Sequence, residues 1–193
     1  MPRTGLTPDI LVTAAATLAD QAGFGALTLT ALARQFNVKV ASLYAHIANA
    51  DDLNTRVALF ALNKLADLAD DAVAGRAGKD ALVAVANVYR DFARQHPGLF
   101  EAARYRLSAP LPDNNGGARI SRVTRAMLRG YALDDRACTD AMRLLGSVFL
   151  GYPMLELAGS FNHSQPDPHS SWLRSLDALD HMLRNWPTHK DAT

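Results

Sequence analysis

The sequence predicts an all-α protein: a three-helix, helix-turn-helix head followed by a larger helical domain, about nine helices in all. Three observations predict this class. Alanine and leucine dominate the 193-residue chain, of which 49% is hydrophobic. β-branched residues are sparse, and long stretches lack both proline and glycine. Within those stretches, apolar residues recur every three or four positions, which is the spacing of one helix face.

The first predicted helix begins at Thr7, Pro8 and Asp9, which suit the cap, the first helical position and the positive end of the helix dipole. Glycine at position 23 ends it. The apolar residues that recur at helical spacing along it are Ile10, Ala14, Leu18 and Ala22.

Residues 27–53 predict the helix-turn-helix unit, with Thr28 or Thr30 as the cap of its first helix. Asn37 occupies the turn, where a residue that tolerates the left-handed region is needed. The second helix of the unit is expected at residues 40–46. The apolar residues expected to face inward are Leu29, Leu32, Ala33, Phe36, Val38, Leu43 and Ile47.

The remaining helices follow from caps and apolar periodicity. Asn49 and the acids at 51 and 52 begin a long amphipathic helix, and residues 74–79 interrupt it. Further helices are expected at 80–95, 99–107, 118–131, from a cap at Asp134 to a kink at Pro153, and at 172–186. We assign residues 1–50 to the head and residues 51–193 to the second domain.

Composition restricts the possible functions. The net charge is +1, so a nucleic-acid interface would need locally concentrated positive charge. The single cysteine, Cys138, excludes an intramolecular disulfide and a multi-cysteine zinc site, and its helical context predicts a buried thiol. No signal-peptide pattern begins the chain, and the longest apolar run, residues 144–157, is too short to span a bilayer. We therefore expect a cytoplasmic protein.

Catalytic and metal-binding patterns are absent from the sequence. It contains no HExxH, GxSxG or GxGxxG motif, and residues 75–80 resemble a phosphate loop with too short a glycine spacing. His163 and His169 lie six positions apart in a polar loop, without an acidic or thiol partner at a supporting spacing. We expect no enzyme activity, no cofactor and no metal.

A small-molecule site in the second domain would be lined by its inward aromatic and methionine side chains, although each is more often core than lining. Together they favour a largely apolar or aromatic ligand. The candidates are Tyr89, Phe92, Phe100, Tyr105, Met127, Met142, Phe149, Tyr152 and Trp172.

The head resembles the tetracycline-repressor (TetR) family of bacterial regulators. The matching residues are Gly23 and Phe24, then LTLTALARQFNV at residues 27–38 and LYAHIANADDL at residues 43–53. The pattern is long and specific, and it covers about the first quarter of the chain. Residues 95–100, QHPGLF, also resemble a turn of one C-terminal subgroup.

The resemblance implies a homodimer that pairs through its last two long helices, represses an operon from a palindromic operator and is released by a small ligand. It also implies DNA contacts from one set of residues in the head. These are Thr28, Thr30, Lys39, Val40, Ala41, Ser42, Tyr44 and His46.

Three positions depart from the family pattern: Asn37 replaces the usual turn glycine, Ala45 is small, and Ala50 stands where a phosphate-binding lysine is common. Fewer cations imply a shallower dependence of DNA affinity on salt. They also leave an alternative open, a helical protein-binding adaptor with a degenerate DNA-binding head. The sequence does not identify the effector, the operator, or whether the ligand releases or promotes DNA binding.

Overall fold

A computed structural model describes residues 6–108 and 111–187, and within them it contains eight α-helices, two 3-10 helices and no β-strand. The predicted all-α class is confirmed. The α-helices are α1 (Pro8–Ala22), α2 (Leu29–Gln35), α3 (Ala50–Val73), α4 (Gly78–Gln95), α5 (Pro97–Ala102), α6 (Gly116–Leu128), α7 (Asp135–Leu157) and α8 (Pro168–Arg184). The 3-10 helices span Phe24–Ala26 and Val40–Ser42.

The chain divides into two compact units. The first consists of Met1–Lys64 and Gln95–Gly116, and the second of Leu65–Arg94 and Gly117–Thr193. Residues 95–116 are therefore grouped with the N-terminal helices, although they lie far from them in the sequence.

In the first unit, α1 begins as predicted: the Thr7 side chain accepts a hydrogen bond from the Ile10 amide at 3.3 Å, and Pro8 follows. The buried face of α1 differs by one position from the expected stripe. Because α1 is apolar around most of its circumference, periodicity alone did not select the inward face. The buried residues are Leu11, Ala15, Ala16 and Ala19.

Helix α5 packs against the end of α1. The Leu99 amide donates a 2.9 Å hydrogen bond to Asp20 Oδ1, and the Phe24 amide donates a 3.2 Å hydrogen bond to Glu101 Oε2. These contacts satisfy first-turn amides that an α-helix and a turn would otherwise leave without partners. Helix α5 ends at Ala102, before the predicted end at residue 107.

The second unit has its own core, to which the end of α3 and helices α4, α6, α7 and α8 contribute buried side chains. Helix α4 buries one face, which includes Leu82, Val85, Ala86 and Ala93. The Asp134 side chain caps α7, as predicted, by accepting from the Ala137 amide at 2.8 Å. Cys138 is buried, as expected. The largest fully buried side chains of this unit are Leu65, Leu82, Phe92, Phe149 and Trp172.

None of the helices in the described part of the chain is long and apolar enough to cross a membrane.

Candidate functional site

The turn after α2 adopts the geometry that a helix-turn-helix unit needs. Thr28 caps α2 by accepting from the Ala31 amide at 3.0 Å. Asn37 lies in the left-handed region at φ 52°, as predicted, and the Val38 amide then donates to the Ala33 carbonyl at 3.0 Å. Asparagine tolerates this conformation better than other residues with a Cβ, so the missing glycine does not disrupt the turn.

The segment after the turn, residues 39–46, is a tight helical coil and not the continuous α-helix that was expected. Val40–Ser42 form a 3-10 helix, and one further hydrogen bond of this spacing runs from the His46 amide to the Leu43 carbonyl at 2.9 Å. A segment this short forms few four-residue hydrogen bonds, so the tighter coil is favoured. Leu43 and Ile47, both completely buried, fix it to the core of the first unit.

All eight residues that the sequence predicts as DNA contacts are accessible to solvent. Val40 and His46 are half-buried, and the other six are exposed. Tyr44 has an exposed fraction of 57%, large for an aromatic side chain next to the buried Leu43. The segment therefore presents hydroxyl, ammonium, imidazole and small apolar groups outward, a mixture able to contact phosphates and base edges.

The start of α3 adds a reciprocal cap behind this segment. The Asn49 side chain accepts from the Asp52 amide at 2.9 Å, and the Asp52 carboxylate accepts from the Ala48 amide at 2.8 Å. Burial raises the pKa of the Asp52 carboxyl, but hydrogen bonds from Arg56 and Ala48 outweigh it and lower the pKa below its ordinary value. The first turn of α3 is thus capped at Asn49, where the sequence predicted the helix to begin.

Four of the nine candidate ligand-binding residues form aromatic pairs in the second unit. The rings of Tyr89 and Phe149 lie 5.5 Å apart, and those of Tyr152 and Trp172 lie 4.8 Å apart. Trp172 also donates from its indole nitrogen to Asn87 Oδ1 at 2.8 Å. Burial raises the pKa of the Tyr89 hydroxyl to about 12, so this phenol stays neutral and can act as a donor.

The other candidates are distributed differently. Phe92 and Met127 are buried in the second unit, where Met142 is half-buried. Phe100 and Tyr105 belong to the first unit instead. The Tyr105 ring meets Phe24 edge-on at 5.7 Å, and its hydroxyl donates to Asp51 Oδ1 at 2.6 Å. The nine candidates are therefore divided between the two units.

A buried charged network lies beside the aromatic pairs, and the sequence did not reveal it. Arg90, 3% exposed, donates to both carboxylate oxygens of Glu156, at 2.9 and 2.6 Å. Its Nη1 lies 3.0 Å from His169 Nδ1, and its guanidinium lies over the Trp172 ring at 5.6 Å. These partners are 66 and 79 positions away from Arg90, beyond the reach of any local pattern.

His169 was expected in a solvated loop, and it is exposed but bound to Arg90. Hydrogen bonds from Arg90 lower the pKa of the Glu156 carboxyl. Across the described ranges, no cluster of three or more histidine, cysteine or acidic residues has the geometry to hold a metal.

These features define a helix-turn-helix protein with a separate helical unit. Residues 82–179 match the model of the tetracyclin repressor-like C-terminal domain. The chain is 32% identical over 164 residues to the uncharacterized HTH-type transcriptional regulator YobS of Bacillus subtilis, which covers 85% of this chain and 86% of that protein. It is 30% identical over 164 residues to the uncharacterized HTH-type transcriptional regulator Rv0681 of Mycobacterium tuberculosis, and the match covers 84% of this chain and 75% of that protein.

Solved structures share the fold. Apo ActR of Streptomyces coelicolor has a TM-score of 0.70 and 21% identity, over 94% of this chain and 98% of its own. A protein of unknown function from Rhodococcus has a TM-score of 0.77 and 18% identity, over 95% of this chain and 98% of its own. The chain belongs to the tetracycline-repressor (TetR) family and is a DNA-binding transcriptional regulator rather than an enzyme.

Proposed function

We propose that this regulator is a cytoplasmic homodimeric repressor that binds a palindromic operator through residues 39–46 and releases it when a small apolar or aromatic molecule binds. In this account, residues 1–50 contact DNA, and residues 51–193 bind the effector and form the dimer. The observation that supports it most directly is the exposed Tyr44 between the buried anchors Leu43 and Ile47.

Residue chemistry supports this DNA interface. Lys39 is the one strong cation of residues 39–46 and reaches a phosphate or a guanine. Ser42 and Thr30 donate to or accept from phosphates and bases, whereas Val40 and Ala41 contact thymine methyl groups. Tyr44 and His46 bind phosphates at the groove walls. Thr28 caps α2 and adds a phosphate contact.

Apolar exposure on α7 and α8 supports dimerisation through these helices. Leu155 and Leu157 on α7 are 47% and 48% exposed, and Leu173 on α8 is 45% exposed. A four-helix bundle formed with a second copy would remove these leucines from water. It would also fix the two heads at the spacing of successive major grooves, about 34–36 Å.

The effector class is supported by the aromatic pairs and by a structural neighbour. ActR has been solved in complex with actinorhodin and with (S)-DNPA. In this chain, the pairs Tyr89 with Phe149 and Tyr152 with Trp172 offer aromatic surfaces to a ligand. A ligand that binds one head spacing better than the other shifts the dimer toward that state.

Selection from a pool of random duplex DNA at low salt tests this function. The expected result is one enriched palindrome whose half-sites have centres about one helical turn, or a multiple of it, apart. Retardation of the selected duplex should weaken as salt increases. A pool without any enriched sequence would contradict the proposal and favour the protein-binding adaptor.

A further inference from the structure

His96 connects two helices of the first unit through its two ring nitrogens. Its Nδ1 lies 2.7 Å from Asp20 Oδ2 on α1, and its Nε2 lies 2.9 Å from Lys64 Nζ on α3. His96 itself is the residue that precedes α5. The other oxygen of Asp20 accepts the Leu99 amide of α5 at 2.9 Å, so three helices meet in one hydrogen-bonded chain.

The two partners determine the protonation of the imidazole. The Lys64 ammonium can only donate, so Nε2 of His96 must be the acceptor and carries no proton. The proton of the neutral ring then resides on Nδ1 and is donated to the Asp20 carboxylate. The hydrogen bonds therefore all point in one direction, from the Lys64 ammonium through a neutral His96 to the Asp20 carboxylate.

These hydrogen bonds hold together segments of the first unit that are far apart in the sequence. The unit ends along α3 at Lys64 and resumes at Gln95, next to His96. The hydrogen bond from Lys64 to His96 therefore holds together two points at which the polypeptide leaves and re-enters the first unit. At Gly116, where the unit ends again, a Cβ would overlap the backbone of Leu62 and Asn63 on the same stretch of α3.

A second link holds the opposite end of the same segment. Tyr105 donates to Asp51 in the first turn of α3 and packs against Phe24, the residue after the turn that ends α1. Residues 96–105, which we call the brace, thus connect α1 to α3 through His96 at one end, and connect the 3-10 helix Phe24–Ala26 to α3 through Tyr105 at the other. Helix α1 packs against α2, and three residues separate α3 from residues 39–46. The brace therefore holds the helices on both sides of the DNA-binding segment.

We propose that His96 is a positioning residue for operator binding. By accepting from Lys64 and donating to Asp20, it holds α1 and α3 in the arrangement from which residues 39–46 reach DNA. This inference rests on the proposed operator binding, and it assigns to His96 no contact with DNA. The contribution of a hydrogen bond to a charged group corresponds to about a tenfold change in operator affinity.

Four variants separate the hydrogen bond of His96 to Lys64 from its hydrogen bond to Asp20. His96→Asn keeps a donor near Asp20 and removes the acceptor for Lys64, and Lys64→Met removes the donor while keeping the length of the side chain. Combining them gives a double-mutant cycle. Lys79→Met is the matched control, because it removes the same charge from an exposed ion pair with Asp177 in the second unit.

The operator affinities should fall about tenfold for His96→Asn and for Lys64→Met. The double variant should be no weaker than either single variant, because both remove the same hydrogen bond. Lys79→Met should bind within about twofold of the parent. Near-parent affinity of His96→Asn and Lys64→Met, or additive losses in the double variant, would overturn the proposal.

Nuclear magnetic resonance of the imidazole nitrogens provides a readout in the folded parent protein that does not depend on DNA binding. The His96 resonances, assigned from their absence in His96→Asn, should show a protonated Nδ1 and an unprotonated Nε2 at neutral pH. A proton on Nε2 would overturn the assignment. Loss of operator binding by a Lys39 and Tyr44 double variant, measured in parallel, tests the DNA interface separately.

Discussion

Gly98 lies so close to the main chain of Ala19 that a Cβ added to it would overlap the Ala19 carbonyl group. The first turn of α5 therefore packs directly on the backbone of α1, without a side chain between them. Because Ala19 presents its main chain at this point, α1 cannot move aside by changing a rotamer. The contact explains why residues 95–116 are grouped with the N-terminal helices.

Gly98→Ala should destabilise the protein by about 3 kcal/mol, the upper part of the range for overpacking, because the obstructing atoms are backbone. Chemical denaturation followed by circular dichroism measures the effect. Gly25→Ala is the control, since a Cβ at Gly25 meets nothing within 4 Å. Equal unfolding midpoints for the two variants would show that α5 is not packed on α1 as described.

Glu156→Gln should lower the free energy of unfolding by about 3 kcal/mol at pH 7, because it leaves the buried Arg90 without a compensating charge. The exposed pair of Arg143 and Asp140 provides the control, and Asp140→Asn should change stability by less than about 0.5 kcal/mol. Denaturation midpoints that fall equally in both variants would contradict a special role for the buried pair.

The same carboxylate should make stability depend on pH. Hydrogen bonds from Arg90 lower the pKa of Glu156 in the folded protein, so its contribution is complete above the unfolded-state value of about 4.3. It is lost as the pH falls from there toward the lowered pKa. Denaturation at pH 6 and pH 3.5 should show a steeper loss in the parent than in Glu156→Gln, and parallel losses would refute this origin.

Leu173→Glu should convert the dimer to monomers, because it places charge on the exposed apolar surface of α8 that we assign to the interface. Light scattering after size exclusion measures the mass, and operator affinity should fall with it. Leu68→Glu is the matched control, because Leu68 on α3 is 41% exposed, close to the 45% of Leu173. If Leu173→Glu remained a dimer, this surface of α8 could not be the dimer interface.

Local signals in the sequence predicted three helix starts and the turn. Thr7, Thr28 and Asp134 cap the helices that they were expected to cap, and Asn37 adopts the left-handed conformation that its place in the turn required. Each of these outcomes depends on hydrogen bonds or dihedral angles within a few residues, so a short stretch of sequence contains the information.

Long-range contacts were not predictable in this way. Tyr105 was a candidate for the ligand site because it is aromatic, yet it packs in the first unit through partners 54 or more positions away. The burial of Arg90 likewise depends on Glu156, which no local pattern connects to it. In residues 39–46 the sequence indicated the outward and inward residues correctly, whereas the choice of a 3-10 coil over an α-helix followed from the shortness of the segment.

The most direct test of the proposed DNA interface is the operator affinity of a Lys39→Ala/Tyr44→Ala double variant, measured by fluorescence anisotropy over a series of salt concentrations. Both side chains are exposed, so the fold and the dimer should persist. We predict at least about a hundredfold weaker binding and a salt dependence reduced by about one counterion per protomer. An affinity and salt dependence equal to those of the parent protein would contradict the assignment of residues 39–46 as the DNA-binding segment.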